Sequence, residues 1–174
     1  MKTAILPLSV LVLIALPLGE TGSLLTSAEM LLTNLAVSAS LVAARKRNVV
    51  VEIIVPGPII DAKIVRKASR ARWGDLLRAG VSIYEYQPTM FHSKVMTVDD
   101  LWVSVGSTNF DDRSFRLNDE TNLNVLDRDF ALKVTEAFEA DKAHAHLVTL
   151  EEWEHRPWTE KLTEHAAALF RSQL

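Results

Sequence analysis

At 174 residues with 48% hydrophobic content, the chain is long enough to bury one core and fits one domain better than two. A formal net charge of −3 lacks the basic surplus that marks bulk attraction to nucleic acid, although it leaves room for a local basic site. Cysteine is absent, which excludes disulfides and thiolate metal centres and leaves the redox compartment open.

Met1 and Lys2 precede an apolar run from Ala4 to Leu18, broken by Pro7 and Pro17. A basic start before an apolar stretch too short for a bilayer span, which needs ~20 residues, reads as a signal or an anchor. Leu24 to Ala44 is rich in Leu, Ala and Val and ends in Arg45-Lys46-Arg47. It is expected to form an amphipathic core helix, with Leu31, Leu35 and Leu41 near one stripe; a stop at a membrane face is the alternative. Residues 1–44 are therefore set apart as an N-terminal apolar segment (signal, anchor or displaced gene start), and residues 45–174 as the domain proper.

Val49 to Val55 is an unbroken apolar run with β-branched bias, closed by Pro56-Gly57-Pro58, and predicts a buried strand. A helix is expected from Asp61, an N-capping residue type. Lys63, Arg66, Lys67 and Arg70 share one face of it, which is either solvated or attractive to anionic lipid headgroups. Gly74 is expected to divide the segment, and Ala79-Gly80 to close it before a strand from Val81 to Tyr86.

His92-Ser93-Lys94 opens the densest pattern in the chain. Val95, Thr97 and Asp99 alternate with Lys94, Met96 and Val98, and Leu101 to Val105 repeats an apolar, partly alternating run. Two strands joined at a tight Asp99-Asp100 turn follow from this. Residues two apart in a strand project from one face, so the His92 imidazole and the Lys94 ammonium are positioned to meet one ligand. Gly106 ends the second strand with a permissive backbone, and Ser107 and Asn109 offer a hydroxyl and an amide in the loop beyond. A nucleophilic imidazole, a cation and small donors around one anion point to phosphate-ester chemistry. Taken singly, His92 beside Lys94 is an ordinary surface pair, and Ser107 and Asn109 are ordinary turn formers. It is their joint register that carries the argument.

Thr121 to Leu126 alternates and predicts a strand, followed by a helix from Arg128 through Ala145. Its Phe130, Val134, Ala137 and Phe138 recur at helical spacing as core residues. Thr149-Leu150-Glu151-Glu152 has capping-box form. Pro157 interrupts, and Thr159 to Phe170 carries Leu162, Ala166 and Leu169 on one stripe of a last helix. Trp153 and Trp158 are expected to pack on the domain, with a lipid interface as the alternative. The order of strands and helices gives an α/β fold, a mixed β-sheet flanked by helices.

The spacing H-x-K-x4-D-x6-G-S-x-N, filled by His92, Lys94, Asp99, Gly106, Ser107 and Asn109, resembles the HKD motif of the phospholipase D superfamily. Downstream, Asp112 to Glu120 and Asn122 to Val125 are similar to the segment after the second HKD motif of bacterial cardiolipin synthases. Upstream, Val51 to Gly57 and Gly80 to Pro88 resemble the strands before it. The resemblance runs from about Arg45 to the C-terminus and implies one phospholipase D-like half-domain.

What the resemblance implies about chemistry is specific. His92 attacks phosphorus through a phosphohistidine intermediate or protonates the leaving oxygen, while Lys94, Ser107 and Asn109, with Gly106, hold the non-bridging oxygens. Glu120 matches the acidic position that orients the imidazole. Asp99 belongs to the motif, better placed as a structural carboxylate at the turn than as a base. No metal or cofactor is required. The implied activity is phosphatidyl transfer of the cardiolipin synthase type on phosphatidylglycerol, at an anionic bacterial membrane surface. The alternatives are an exported single-motif phosphodiesterase or nuclease acting on DNA as a homodimer, and an inactive fragment.

The chain departs from the two-motif pattern. One imidazole cannot be at once an unprotonated nucleophile and a protonated acid, so the chemistry needs a second motif. Of the other histidines, His144, His146, His155 and His165, none has a lysine two residues on, and His144 and His146 read as surface residues of a helix. A homodimer or a missing N-terminal half must supply the second imidazole.

Overall fold

The computed structural model describes residues 22–27, 35–60, 63–108 and 119–169. The run from Ala4 to Leu18, Leu31, the expected N-cap Asp61, Asn109 and the segment Asp112 to Asn118 lie outside these described residues. Seven strands form one mixed sheet: β1 (Ser23–Ser27), β2 (Val50–Pro56), β3 (Ser82–Tyr86), β4 (Val95–Val98), β5 (Trp102–Gly106), β6 (Asn122–Leu126) and β7 (Ala145–Val148). Their order across the sheet is β6-β5-β4-β1-β2-β3-β7. β1, β2 and β3 run parallel, and β4, β5, β6 and β7 pair antiparallel with their neighbours. Six helices complete the described fold: α1 (Leu35–Lys46), α2 (Lys63–Arg70), α3 (Trp73–Arg78), α4 (Arg128–Lys142), α5 (Leu150–His155) and α6 (Trp158–Leu169).

The sheet is buried on two faces by two apolar clusters. Ile53 belongs to a cluster with Leu24, Val37, Leu41, Ala44, Trp73, Leu76 and Met96, whereas the next residue, Ile54, packs with Phe91 and Phe138. Neighbouring strand residues point to opposite faces, which is why β2 reads as a continuous apolar run rather than an alternating one. α1 and α3 cover the first face and α4 the second. Each fully buried Leu or Ile contributes roughly 1.5–3 kcal/mol relative to exposure, so Leu24, Leu41 and Ile53, all at 0% exposure, are among the residues that hold the layers together.

The single helix expected over 24–44 is replaced by two elements. Ser23–Ser27 is a strand between β2 and β4, and the described helix covers Leu35–Lys46, with Val37, Leu41 and Ala44 buried. Composition could not separate the two, because Leu24 is buried by pairing in the middle of the sheet, which is a tertiary choice. β1 precedes residue 45 and α1 runs through it to Lys46, and both pack in the same core as the strands that follow.

Helix ends follow local chemistry. After α3, the N–H of Val81 donates to Leu76 O at 3.0 Å and that of Gly80 to Leu77 O at 3.0 Å, a Schellman closure in which Gly80 takes φ +86°. Asp127 and Thr149 cap α4 and α5, accepting from the N–H groups of Phe130 and Glu152. Gly74 does not divide a helix; it lies inside α3, and the break falls at 71–72. A Cβ on Gly74 would lie 2.5 Å from the Trp153 ring. The glycine therefore admits Trp153, whose indole N–H donates to Arg70 O at 2.8 Å beneath the guanidinium of Arg156.

The basic face of α2 is divided: Lys63 and Lys67 are exposed, whereas Arg66 and Arg70 turn inward. Arg66 and Arg70 both bind the buried Glu85 of β3, at 2.6 and 2.8 Å, and Arg70 and Arg156 bind the buried Glu164 of α6, at 3.1 and 2.8 Å. Burial alone would lower the Arg70 pKa, but the two carboxylates outweigh it and raise it. The helix expected through Ala145 stops at Lys142. His146 instead lies on β7, beside β3, with Nε2 2.9 Å from Glu152. On α4, Phe138 is buried, but Phe130 is 37% exposed; Phe130, Val134 and Ala137 line a cleft of about 250 Å3 against Val95 and Val105 rather than filling a closed core. Trp158 is 73% exposed. Among the described residues no helix is long and apolar enough to cross a membrane.

Candidate active site

Phe91 anchors the segment that enters β4. It is buried, and its ring lies 4.7 Å from that of Tyr86. This fixes Phe91 on the α4 side, and His92 and Lys94 follow it in the segment 91–94 that leads into β4. Lys94 Nζ lies 3.0 Å from His92 Nε2. An ammonium only donates, so in this contact Nε2 stands as the acceptor. His92 is exposed at the surface and Lys94 half-buried. The pair thus places an imidazole and a cation side by side where an anion can reach both.

Gly106 stands directly beside this pair, its N–H donating to Lys94 O at 3.2 Å. No left-handed backbone explains the glycine, since Gly80 is the one glycine with positive φ among the described residues. Close approach explains it instead. A Cβ at residue 106 would lie 2.2 Å from both Asn122 Oδ1 and Thr121 O. The expectation of a permissive backbone is thereby replaced by a requirement for empty space.

The loop after β5 is tied to Thr121 and to Asn122, the first residue of β6, by further bonds. Ser107 N donates to Thr121 O at 3.0 Å, and Thr121 N donates to Ser107 Oγ at 3.0 Å. Thr108 N donates to Asn122 Oδ1 at 3.2 Å, while Asn122 Nδ2 donates to Ser104 Oγ at 3.3 Å. The Ser107 hydroxyl is therefore engaged with backbone, bracing the loop. Glu120, half-buried, immediately precedes Thr121, so the reciprocal Ser107–Thr121 bonds bring its chain segment to the loop.

The structure does not bring Asp99 to this group. It sits at the opposite end of β4, on the order of 15 Å along the strand from Lys94. There its carboxylate accepts from Ser23 N at 2.8 Å. Asp99 and Asp100 take φ +54° and +48°, the paired left-handed geometry of a type I′ hairpin turn, which aspartate tolerates better than most residues. Asp99 thus ties the hairpin to β1. No cluster of His, Asp or Glu suited to a metal occurs among the described residues. Asn122 and Ser104 escape a search of the sequence for catalytic residue types, because their roles lie in contacts across strands; the alternation Asn122-Leu123-Asn124 on a short strand is the only hint.

Comparison with known proteins adds the following. A family model described as cardiolipin synthase, phospholipase D-like domain matches residues 21–142. Cardiolipin synthase A of Pseudomonas fluorescens is 43% identical over 117 residues, covering 67% of this chain and 24% of that protein. Cardiolipin synthase of Geobacillus kaustophilus is 40% identical over 109 residues, 63% of this chain and 22% of that protein. The chain thus spans less than a quarter of the length of these two curated relatives. Among solved structures, Nuc, a phospholipase D family member from Salmonella typhimurium, superposes with TM-score 0.69 at 25% identity, covering 81% of this chain and 90% of that one.

Proposed function

Because the chain belongs to the cardiolipin synthase, phospholipase D-like domain family, we propose that it carries one histidine of a phosphatidyl-transfer site acting on phosphatidylglycerol. The observation that carries this reading is the 3.0 Å approach of Lys94 Nζ to an exposed His92 Nε2. In the proposed reaction Nε2 attacks phosphorus, the N–P bond forms and the P–O bond to the glycerol headgroup breaks, and the departing oxygen takes a proton from a second imidazole. The hydroxyl of another phosphatidylglycerol then attacks the same phosphorus, returns its proton to that imidazole and frees His92. The balance is two phosphatidylglycerols to one cardiolipin and one glycerol. Lys94, with the loop from Gly106 through Asn109, neutralises charge that develops on the non-bridging oxygens, and Glu120 steadies the imidazolium. Asp99 holds the hairpin.

The second imidazole comes from a second HxK motif, in another copy of this chain or in a separate half of a larger enzyme. A homodimeric phosphodiesterase acting on DNA is the competing reading, supported by the superposition on Nuc with TM-score 0.69. Purified protein incubated with phosphatidylglycerol vesicles and, separately, with DNA, both in the presence of a chelator, distinguishes them. Cardiolipin and glycerol are expected, and lost in His92→Ala. DNA cleavage alone would replace the lipid assignment, and the absence of both activities would rule out another copy of this chain as the source of the second imidazole.

A further inference from the structure

We infer that Asn122 is a positioning residue for this site: its side-chain amide clamps the Ser107–Thr108 segment to β5 and so sets where the loop stands beside Lys94 and His92. The inference rests on the reading of the loop as the phosphate cradle.

Three observations converge on that amide. Its Oδ1 accepts from Thr108 N at 3.2 Å. Its Nδ2 donates to Ser104 Oγ at 3.3 Å. The same Oδ1 would lie 2.2 Å from a Cβ at residue 106, so the glycine leaves the space this oxygen occupies. Ser104 and Thr108 are 2% and 6% exposed, so water is a poor substitute for either bond. A primary amide offers an acceptor and a donor a fixed distance apart, and so satisfies the backbone N–H in the loop and the hydroxyl oxygen in the strand together. Lys94 is held at the other side of the same loop, through Gly106 N. Residue 122 therefore fixes the loop relative to the cation and imidazole without itself being assigned any contact with the substrate.

Two readouts on the full chain test this. In Asn122→Ala, compared with wild type at a temperature where both are folded, kcat for phosphatidyl transfer is expected to fall about 10- to 100-fold, the scale of a misplaced catalytic group, with KM within about twofold. The Thr108 amide, followed by hydrogen exchange, is expected to exchange at least ~10-fold faster, because its acceptor is gone. Asn122→Asp keeps an acceptor for Thr108 N and is expected to restore that protection; Ser104→Ala is expected to leave it in place. Unchanged kcat per folded molecule in Asn122→Ala would overturn the positioning role, even if its melting temperature drops. Thr108 protection unchanged in Asn122→Ala would overturn the clamp. Failure of the underlying reading looks different: wild type itself would show no turnover and no binding of inorganic phosphate.

Discussion

Replacing Gly106 by alanine probes the tightest point of the candidate site. The added Cβ would stand 2.2 Å from Thr121 O and from Asn122 Oδ1, and 2.7 Å from Asn122 Cα. A relaxed carbon–oxygen contact is ~3.3 Å, so β5 and β6 must part by about 1 Å, because two of the three obstructing atoms are backbone and cannot rotate aside. Overpacking of this kind costs typically ~1–3 kcal/mol. Parting the strands also weakens the Ser107 N–Thr121 O and Thr108 N–Asn122 Oδ1 bonds, each with a net value of about 1 kcal/mol. The expected destabilisation is about 2–5 kcal/mol, read by urea denaturation as a lower midpoint at unchanged slope. Turnover per folded molecule is expected to fall with it, because Gly106 N binds Lys94 O. A loss below about 0.5 kcal/mol, the level of an unremarkable surface change, with turnover intact, would refute the reasoning.

Three further outcomes follow from the same coordinates. Lys94→Ala is expected to lower kcat by ~10²-fold or more through loss of charge stabilisation, and a drop under tenfold in steady-state assays would remove Lys94 from that role. Gly74→Ala drives a methyl against Trp153, whose indole is pinned to Arg70 O; about 1–3 kcal/mol of stability should be lost, with a change in the near-ultraviolet tryptophan signal. At high pH the Lys142 ammonium reports on its pairing. Burial alone would lower its pKa, but Glu139 and Glu52 outweigh this and raise it above the ordinary 10.5. A raised folded pKa means that the stabilisation is complete below pH 10.5 and fades as pH rises through the folded value. The stability gap between wild type and Lys142→Met should therefore be constant through neutral pH and shrink above that point, and a gap that widens there would contradict the pairing.

Much of the sheet was legible because pattern and burial coincide in it. The apolar run at Val49–Val55 is β2, buried on both faces, and the alternation about Asp99-Asp100 is the β4–β5 hairpin. His92 and Lys94 do meet, but in the segment that precedes β4 and not within the strand itself. What could not be read depended on partners distant in sequence. Leu24 became strand because β2 and β4 flank it, not because Ser23–Ser27 differs in composition from the stretch that follows. Arg66 and Arg70 look like a surface stripe until Glu85 and Glu164, 15 to 94 positions from the arginines they bind, turn both inward. Gly106 was rightly singled out for the wrong reason, since the demand for glycine comes from Thr121 and Asn122 across the ladder. β7 has four residues, too few for alternation to show, and it took the helix period of α4 as its own continuation. Ser107 illustrates the same limit, because its bond to Thr121 is visible only once the strands are paired.

The account stands on His92 as the attacking group, and trapping the intermediate tests it most directly. Wild-type protein mixed with phosphatidylglycerol, quenched at alkaline pH within one turnover and digested, should yield the peptide containing His92 carrying a phosphatidyl group on its imidazole, absent from His92→Ala. Transfer to product with no adduct on that peptide, or with the adduct on another residue of the chain, would contradict the account.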